Sequence, residues 1–241
     1  MDAVKEGSEE KGLSMNVRKT KTMVVSKNEN VTANISVENE TLEQLEIFKY
    51  LGQLITSDAK NEKEIRARIA MAKGRFEKMY KLFESKQIST KLKLRMINCY
   101  VYSILLYGCE TWTLTKVLCD KLEACEMFFL RRIGKISWKQ KISNAQVLEK
   151  FSTKRQLLDI IKRRKMCFFG HIKRHDSIIK DILEGKVEGR RGRGRPRTAW
   201  PDNIKTWADC SLAECTRRAR DRGQWRFTSR QPFHRKDGTS K

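Results

Sequence analysis

The fold class of this 241-residue chain is decided by the stretch Ile97-Asn98-Cys99-Tyr100-Val101-Tyr102-Ser103-Ile104-Leu105-Leu106-Tyr107. Its residues are apolar nearly all round a helix, which is the pattern of a helix enclosed by other helices. Ser89 or Thr90 can cap this helix at its amino terminus. We therefore expect a core helix with Ile104 and Leu105 at the centre of a helical bundle.

Amphipathic helices are predicted on both sides of this stretch. Asn61 followed by Glu64 is a capping signature, and Ser143 with Gln146 opens a later helix in the same way. The apolar stripes are Ile65, Ile69, Ala72, Phe76 and Met79; Leu118, Leu122, Cys125, Phe129 and Ile133; and, after a cap at Thr153 with Gln156, Leu157, Ile161, Phe168 and Ile172. The basic residues expected to face away from the core are Arg66, Arg68, Lys73, Arg75, Lys78, Lys162, Arg163 and Arg164.

The two ends of the chain differ from this middle. Residues 1–60 are predicted to form a short helix followed by strands, of which Leu45–Thr56 is the strongest. Residues 184–197 combine glycines, a proline and arginines and cannot form a core, whereas the tryptophans at 200, 207 and 225 and a cap at Ser211 indicate that later parts fold or dock. The sequence thus predicts an α+β, mostly helical chain with segments 1–60, 61–183 and 184–241.

The charge of the chain points to its class of partner. It has 52 Lys and Arg against 29 Asp and Glu, a formal net charge of +23. A polyanion is the expected partner, with nucleic acid, RNA or DNA, ahead of a membrane surface. The apolar stretch Cys99–Cys109 is too short to span a bilayer, and Met1–Gly12 has no apolar core for a secretory signal. We expect an intracellular protein, cytoplasmic or nuclear, without a membrane-spanning helix.

Several segments, in a fixed order, resemble one protein family. They are Gly12–Met23, Phe48–Gly52, Tyr107–Trp112, Phe169–His171, Gly192–Arg197, Trp200, Trp207, Ala219–Arg222 and Trp225-Arg226. Together they are similar to the C-terminal portion of LINE-type (non-LTR) retrotransposon reverse transcriptases, over roughly residues 10–227. The first resembles motif D, and the second resembles motif E, the primer-grip strands. Pro201 departs from the aliphatic residue expected after the tryptophan.

The resemblance implies a fold and an activity. It implies a remnant of the palm with two to four strands, a helical thumb and a basic, partly disordered C-terminal region. The parent enzyme performs RNA-directed DNA synthesis, and this part would hold the template-primer duplex. The paired aspartates that bind Mg²⁺ would precede Met1, so the chain contributes no catalytic residue, metal ligand or cofactor site and alone is expected to be inactive.

Two groups of residues are candidates for contact with nucleic acid. The palm-like candidates are Lys19, Lys21, Phe48, Tyr50 and Gly52; the alternative places these on ordinary strand faces with the aromatics in a core. The tail candidates are Arg193, Gly194, Arg195, Pro196 and Arg197, which resemble an AT-hook. Such a segment reads the narrow minor groove, whereas a solvated basic linker contacts phosphates without sequence preference.

Other functions and other chemistry stay open at this point. The alternatives to a polymerase fragment are a non-catalytic, chromatin-associated protein derived from a transposon, and a relic without function. Cys167, His171 and His175 lie at i, i+4 and i+8 on one helix face but lack a fourth zinc ligand. The seven cysteines, including Cys210 and Cys215, fit reduced, packed thiols better than a disulfide framework. No metal is expected.

Overall fold

A computed structural model describes residues 2–26, 31–37, 40–186 and 197–231 of the chain. It is mostly helical with a few short strands, which confirms the predicted mostly helical α+β class. The chain divides into two compact units, Met1–Glu64 and Ile65–Lys241.

In its described residues, the smaller unit contains one complete helix and six short strands. These are α1 Asp2–Glu9, β1 Lys21–Thr22, β2 Ser36–Val37, β3 Glu40–Thr41, β4 Glu43–Gln44, β5 Ile47–Tyr50 and β6 Gln53–Thr56. They form three two-stranded sheets: β1 pairs parallel with β4, while β2 pairs with β3 and β5 with β6 antiparallel. The predicted number of two to four strands is therefore too low, because the described strands are six short segments that pair two by two.

The predicted single strand over Leu45–Thr56 is wrong, because β5 and β6 form a hairpin. The turn is made by Leu51 and Gly52, whose φ angles are 46° and 82°. Two successive positive φ angles match the right-handed twist of a two-residue hairpin, and glycine adopts such an angle without steric cost. Phe48 then faces Ile55 across the ladder, and Tyr50 faces Gln53.

The larger unit is built from eleven helices in the residues that the structure describes. They are α2 Glu62–Lys78, which begins just before the unit boundary, α3 Tyr80–Glu84, α4 Thr90–Met96, α5 Tyr102–Leu105, α6 Lys116–Ile133, α7 Asn144–Lys150, α8 Leu157–Arg174, α9 Ile178–Leu183, α10 Trp200–Ala208, α11 Leu212–Arg220 and α12 Arg222–Arg230. Ser89, Ser143 and Ser211 cap α4, α7 and α11 through their hydroxyl groups, so these predicted caps are confirmed.

The predicted stripes of α2 and α6 pack into one hydrophobic core. Phe129 of α6 is fully buried and contacts the rings of Phe76, Tyr102 and Phe128. Arg68 does not lie on a solvated face, since it is only 6% exposed and its guanidinium group lies 4.6 Å from the ring centre of Tyr107. It follows Ile65 by three residues, which places it on the same side of the helix.

The predicted core helix is not enclosed on all sides. A π-helical turn, Ile97–Val101, joins α4 to α5. Leu105 is fully buried, but Ile104 is half-buried, and Tyr100 and Tyr107 are exposed. Tyrosine tolerates solvent through its hydroxyl group, so an apolar count that includes tyrosines overestimates burial.

Helix α8 packs against the other helices α6, α10, α11 and α12. It begins at Leu157, after Gln156, and not after the predicted cap at Thr153. The Glu126 carboxylate of α6 takes the place of a local cap, because it accepts hydrogen bonds from the N–H groups of Gln156 and Leu157 at 2.8 and 3.2 Å. Phe168 is half-buried, and the neighbouring Phe169 is fully buried instead.

Lys162 of α8 was predicted to be exposed, and this is wrong. The side chain is buried, and its Nζ donates to the Gln231 carbonyl at 3.1 Å. Burial on this side of α8 follows from the packing of α11 and α12 against it.

A second hydrophobic core lies where α8 contacts α10, α11 and α12. The residues that form this second core are Met166, Phe169, Ile204, Ala208, Cys215, Ala219 and Trp225.

Among the helices in the described ranges, none combines the length and the apolar character needed to cross a bilayer.

Candidate nucleic-acid interface

The β5–β6 hairpin presents an aromatic face to solvent. Phe48 and Tyr50 alternate along β5, so both rings lie on the same face, with their centroids 6.5 Å apart and their planes inclined by 27°. Phe48 is 41% and Tyr50 is 56% exposed. Gly52 lies in the hairpin turn that follows. These three predicted residues therefore share one hairpin, and the two rings are not in a core.

The predicted lysines of the smaller unit lie on the segment before and within β1. The Nζ of Lys21 lies 2.5 Å from Oε2 of Glu43, its partner in the parallel β1–β4 ladder. Lys19 is exposed, and its backbone N–H donates to Oδ1 of Asn16. The charge of Lys21 is therefore balanced by a carboxylate, and Lys19 lies in a turn stabilised by Asn16.

Most of the predicted tail site lies outside the described residues. This applies to Arg193, Gly194, Arg195 and Pro196, whereas Arg197 is described and exposed. Arg197 directly precedes the segment that leads into α10.

Three segments that are distant in sequence meet at α8: Tyr107–Trp112, Trp200 and Trp225-Arg226. The indole Nε1–H of Trp200 donates to the carbonyl of Glu110 at 2.8 Å, and the Glu110 carboxylate pairs with Arg164 at 2.5 Å. The indole Nε1–H of Trp225 donates to the Met166 carbonyl at 2.7 Å. These residues are distant in sequence, and their contacts hold the segments before α6 and after residue 199 against α8.

The glycine in the segment Phe169-Gly170-His171 is required by the packing of Trp225. A Cβ atom at position 170 would lie 2.4 Å from Cδ1 and 2.6 Å from Nε1 of Trp225. Trp225 can therefore pack against the backbone of α8 only because position 170 has no side chain.

Lys165 lies where these segments meet α8 and is fully buried. Its Nζ donates to the Trp112 carbonyl at 2.6 Å and to Oδ1 of Asn203 at 2.7 Å, and it lies 4.7 Å from the ring centre of Trp200. Asn203 in turn bonds the backbone of Leu114 through both side-chain atoms. Burial lowers the pKa of Lys165 from 10.5 to about 7.

The arrangement around Lys165 is structural in character. Its Nζ joins α8 to α10 and to the segment before α6. Sequence reasoning missed both Lys165 and Asn203, because a lysine within a basic helix and an asparagine in a polar segment carry no distinguishing pattern. Only the contact between helices shows that they are buried together.

The cysteines and histidines considered as metal ligands do not form a metal-binding cluster within the described ranges. His171 and His175 have ring centres 4.4 Å apart, and Cys167 is exposed. The described residues contain no group of three or more His, Cys, Asp or Glu side chains placed to hold a metal ion. Cys210 and Cys215 are free thiols whose Sγ atoms lie 3.0 Å apart, at hydrogen-bonding distance.

The cysteines differ in exposure. Cys109, Cys125 and Cys215 are buried, Cys119 and Cys210 are half-buried, and Cys99 and Cys167 are exposed. The prediction of packed thiols therefore fails for the last two. Burial raises the pKa of the Cys109 and Cys125 thiols to about 12, so both stay protonated and unreactive at neutral pH.

No protein-family model, no curated protein and no solved structure matches this chain.

Proposed function

We propose that this chain is the C-terminal part of an RNA-directed DNA polymerase of the LINE type, where it holds the template-primer duplex. The observation that carries the proposal is the exposed aromatic face of the β5–β6 hairpin, which is the segment that resembles the primer grip. Two large rings exposed side by side in a strongly basic chain are suited to contact sugars and bases, while cationic side chains contact phosphates.

The convergence of the other resembling segments supports the proposal. Four of the quoted segments contact one another in the larger unit: Trp200 donates to Glu110, Phe169 packs against Trp200 and Trp225, and Trp225 lies against Gly170.

A binding experiment tests the role of the hairpin. The double variant Phe48→Ala/Tyr50→Ala should bind a DNA primer annealed to an RNA template at least about fivefold more weakly, since one lost base or sugar contact is worth ~1 kcal/mol or more. Trp138→Ala is the matched control, because Trp138 is an aromatic residue of the larger unit that is 83% exposed. Equal affinity of the double variant and the wild type in fluorescence anisotropy would refute the role of the hairpin.

Two further measurements separate this proposal from its rivals. The chain alone should add no nucleotides to the primed template with Mg²⁺ or Mn²⁺, because the resemblance places the metal-binding aspartates outside it. A preference for A·T-rich duplex DNA over the primed template would instead favour the chromatin-associated alternative.

A further inference from the structure

Helix α12 carries a row of arginines along its exposed side. Arg222, Arg226 and Arg230 recur at every fourth residue and are all exposed, while the intervening Trp225 is buried against α8. The row extends over about 12 Å, since a helix rises 1.5 Å per residue. It is therefore a continuous cationic edge of one rigid element.

The charge of this row is not balanced locally. Within the described residues, none of the three arginines forms an ion pair or a side-chain hydrogen bond. Other cations of the same region are paired: Lys180 with Asp176, Lys205 with Asp202, and Arg217 and Arg218 with Glu214. Guanidinium groups without a carboxylate partner are available for the oxygens of phosphates, which they match in shape and charge.

An aromatic ring lies next to the row. Phe227 is 72% exposed, follows Arg226 directly and precedes Arg230 by one helical turn. A phenylalanine ring left in water beside guanidinium groups offers a flat surface for a nucleic-acid base. Bases of a duplex are stacked on one another, so only a strand with unpaired bases can use such a ring.

A second helix extends the cationic surface. Arg163 of α8 is exposed, and it lines a depression of about 380 Å³ together with Arg230. The other residues around the depression are Gln156, Asp159, Ile160, Ser229 and Gln231. The exposed Gln231 offers an amide donor and acceptor to the sugar-phosphate backbone beside the two arginines, and Asp159 adds a carboxylate to the lining.

From this juxtaposition we propose that Arg163, Arg222, Arg226, Phe227 and Arg230, the α12 strip, bind a single strand of RNA or DNA. The arginines contact successive phosphates, and the ring of Phe227 stacks on a base. The inference rests on the proposed function, which makes nucleic acid the ligand of this chain. It adds a second surface and specifies that the strand is unpaired.

The test compares single-stranded and duplex oligonucleotides of equal length over a range of salt concentrations, using the full chain. Replacing Arg222, Arg226 and Arg230 with alanine should flatten the slope of log affinity against log salt for the single strand by about 2 units, because each phosphate contact contributes about 0.7. Lysine at the same three positions should restore the slope. The matched control is Lys180→Ala/Lys205→Ala/Arg217→Ala, which removes three charges that are already paired, and it should flatten the slope less.

Phe227 variants test the stacking. Phe227→Leu should weaken binding of the single strand by about 5- to 150-fold and leave the duplex nearly unchanged, whereas Phe227→Tyr should bind like the wild type. Equal loss for both ligands, or no loss for either, would overturn the inference. Displacement of the oligonucleotide by polyglutamate of equal charge, at equal concentration, would also overturn it, since the surface would then accept any polyanion.

The two proposals fail separately. If the α12 variants bind single strands normally while Phe48→Ala/Tyr50→Ala loses the primed template, the strip is wrong and the proposed function stands. If the α12 variants lose single strands while the hairpin variant binds the primed template normally, the role of the hairpin in the proposed function is wrong.

Discussion

The two units of this chain differ in how far their hydrophobic residues are buried. In the larger unit, Phe129 and most of α8 are enclosed by rings and aliphatic side chains, and a second core surrounds Trp225. In the smaller unit, the buried hydrophobic residues in the described ranges are Val37 and Leu42. The large hydrophobic residues that it exposes are Val4, Leu13, Val25, Val31, Ile47, Phe48, Tyr50, Leu51 and Ile55. A strand-forming sequence therefore does not bury its apolar face unless a second layer covers it.

Truncation of the Phe129 ring in the core of the larger unit should have the largest effect on stability. Phe129→Ala removes a fully buried ring that contacts three others, so we expect the free energy of unfolding to fall by about 3–5 kcal/mol. All five tryptophans lie in the larger unit, so denaturation followed by tryptophan fluorescence reports on that unit. An unchanged midpoint would mean that the core is not centred on α6.

A pair of glycine variants sharpens the comparison within the larger unit. Gly170→Ala should lower the free energy of unfolding by about 1–3 kcal/mol, because the new Cβ overlaps Trp225. Gly74→Ala is the control, since Gly74 lies in α2 with no atom within 4 Å of its added Cβ. That change should stabilise the chain by about 0.5–1 kcal/mol through helix propensity. Stabilisation by both variants would contradict the close packing of Trp225 on α8.

The pH dependence of stability tests the burial of Lys165. Between pH 7 and 10.5 the unfolded chain binds a proton at Lys165 and the folded chain does not, so stability rises with pH in that window, by up to about 1.4 kcal/mol per pH unit. Below about pH 7 both states are protonated, and the contribution is constant. Above about pH 9 the raised thiol pKa values of Cys109 and Cys125 act in the opposite direction.

The measurement is therefore made from pH 7 to 8.5, by urea denaturation of the wild type and of Lys165→Met. The wild type should gain stability over this range relative to the variant, whose apolar side chain has no proton to release. Parallel curves for the two proteins would show that the lysine titrates elsewhere.

The smallest effect is expected in the smaller unit. Phe48→Ala should change stability by only about 0.2–1 kcal/mol, because the ring is half-exposed and its neighbours on the hairpin are Tyr50 and the cross-strand residue Ile55. The tryptophan unfolding curve should stay the same, since no tryptophan lies in this unit, and circular dichroism should show a small shift at most. A loss comparable to that of Phe129→Ala would mean that the hairpin face is covered in solution.

Most features decided by residues close in sequence were predicted correctly, whereas features decided by residues distant in sequence were not. The caps at Ser89, Ser143 and Ser211 were predictable because a cap depends on residues within one helical turn. The cap of α8 was not, because its acceptor, Glu126, comes from another helix. The hairpin turn was missed at Leu51-Gly52, since a leucine at the first position is not a typical residue for a positive φ angle.

Of the candidate interface, Phe48, Tyr50 and Gly52 could be named from the sequence, but their exposure could not. Strand alternation shows that Phe48 and Tyr50 share a face without showing whether another layer covers it. The α12 strip carries a signal that the sequence offered, the spacing of Arg222, Arg226 and Arg230. Only the structure shows that α12 leaves this row exposed while Trp225, Thr228 and Ser229 are buried.

The sequence by itself determined the helical class, the positions of α2 and α6, the basic character and the order of the resembling segments, because these follow from local periodicity and composition. The tertiary structure decided which charges are buried and which face solvent. Arg68, Lys162 and Lys165 lie on helices whose patterns predict exposed cations, yet each is enclosed by residues distant in sequence. The physical reason is that burial depends on what a helix packs against, and a side chain's own sequence does not contain its neighbours across an interface.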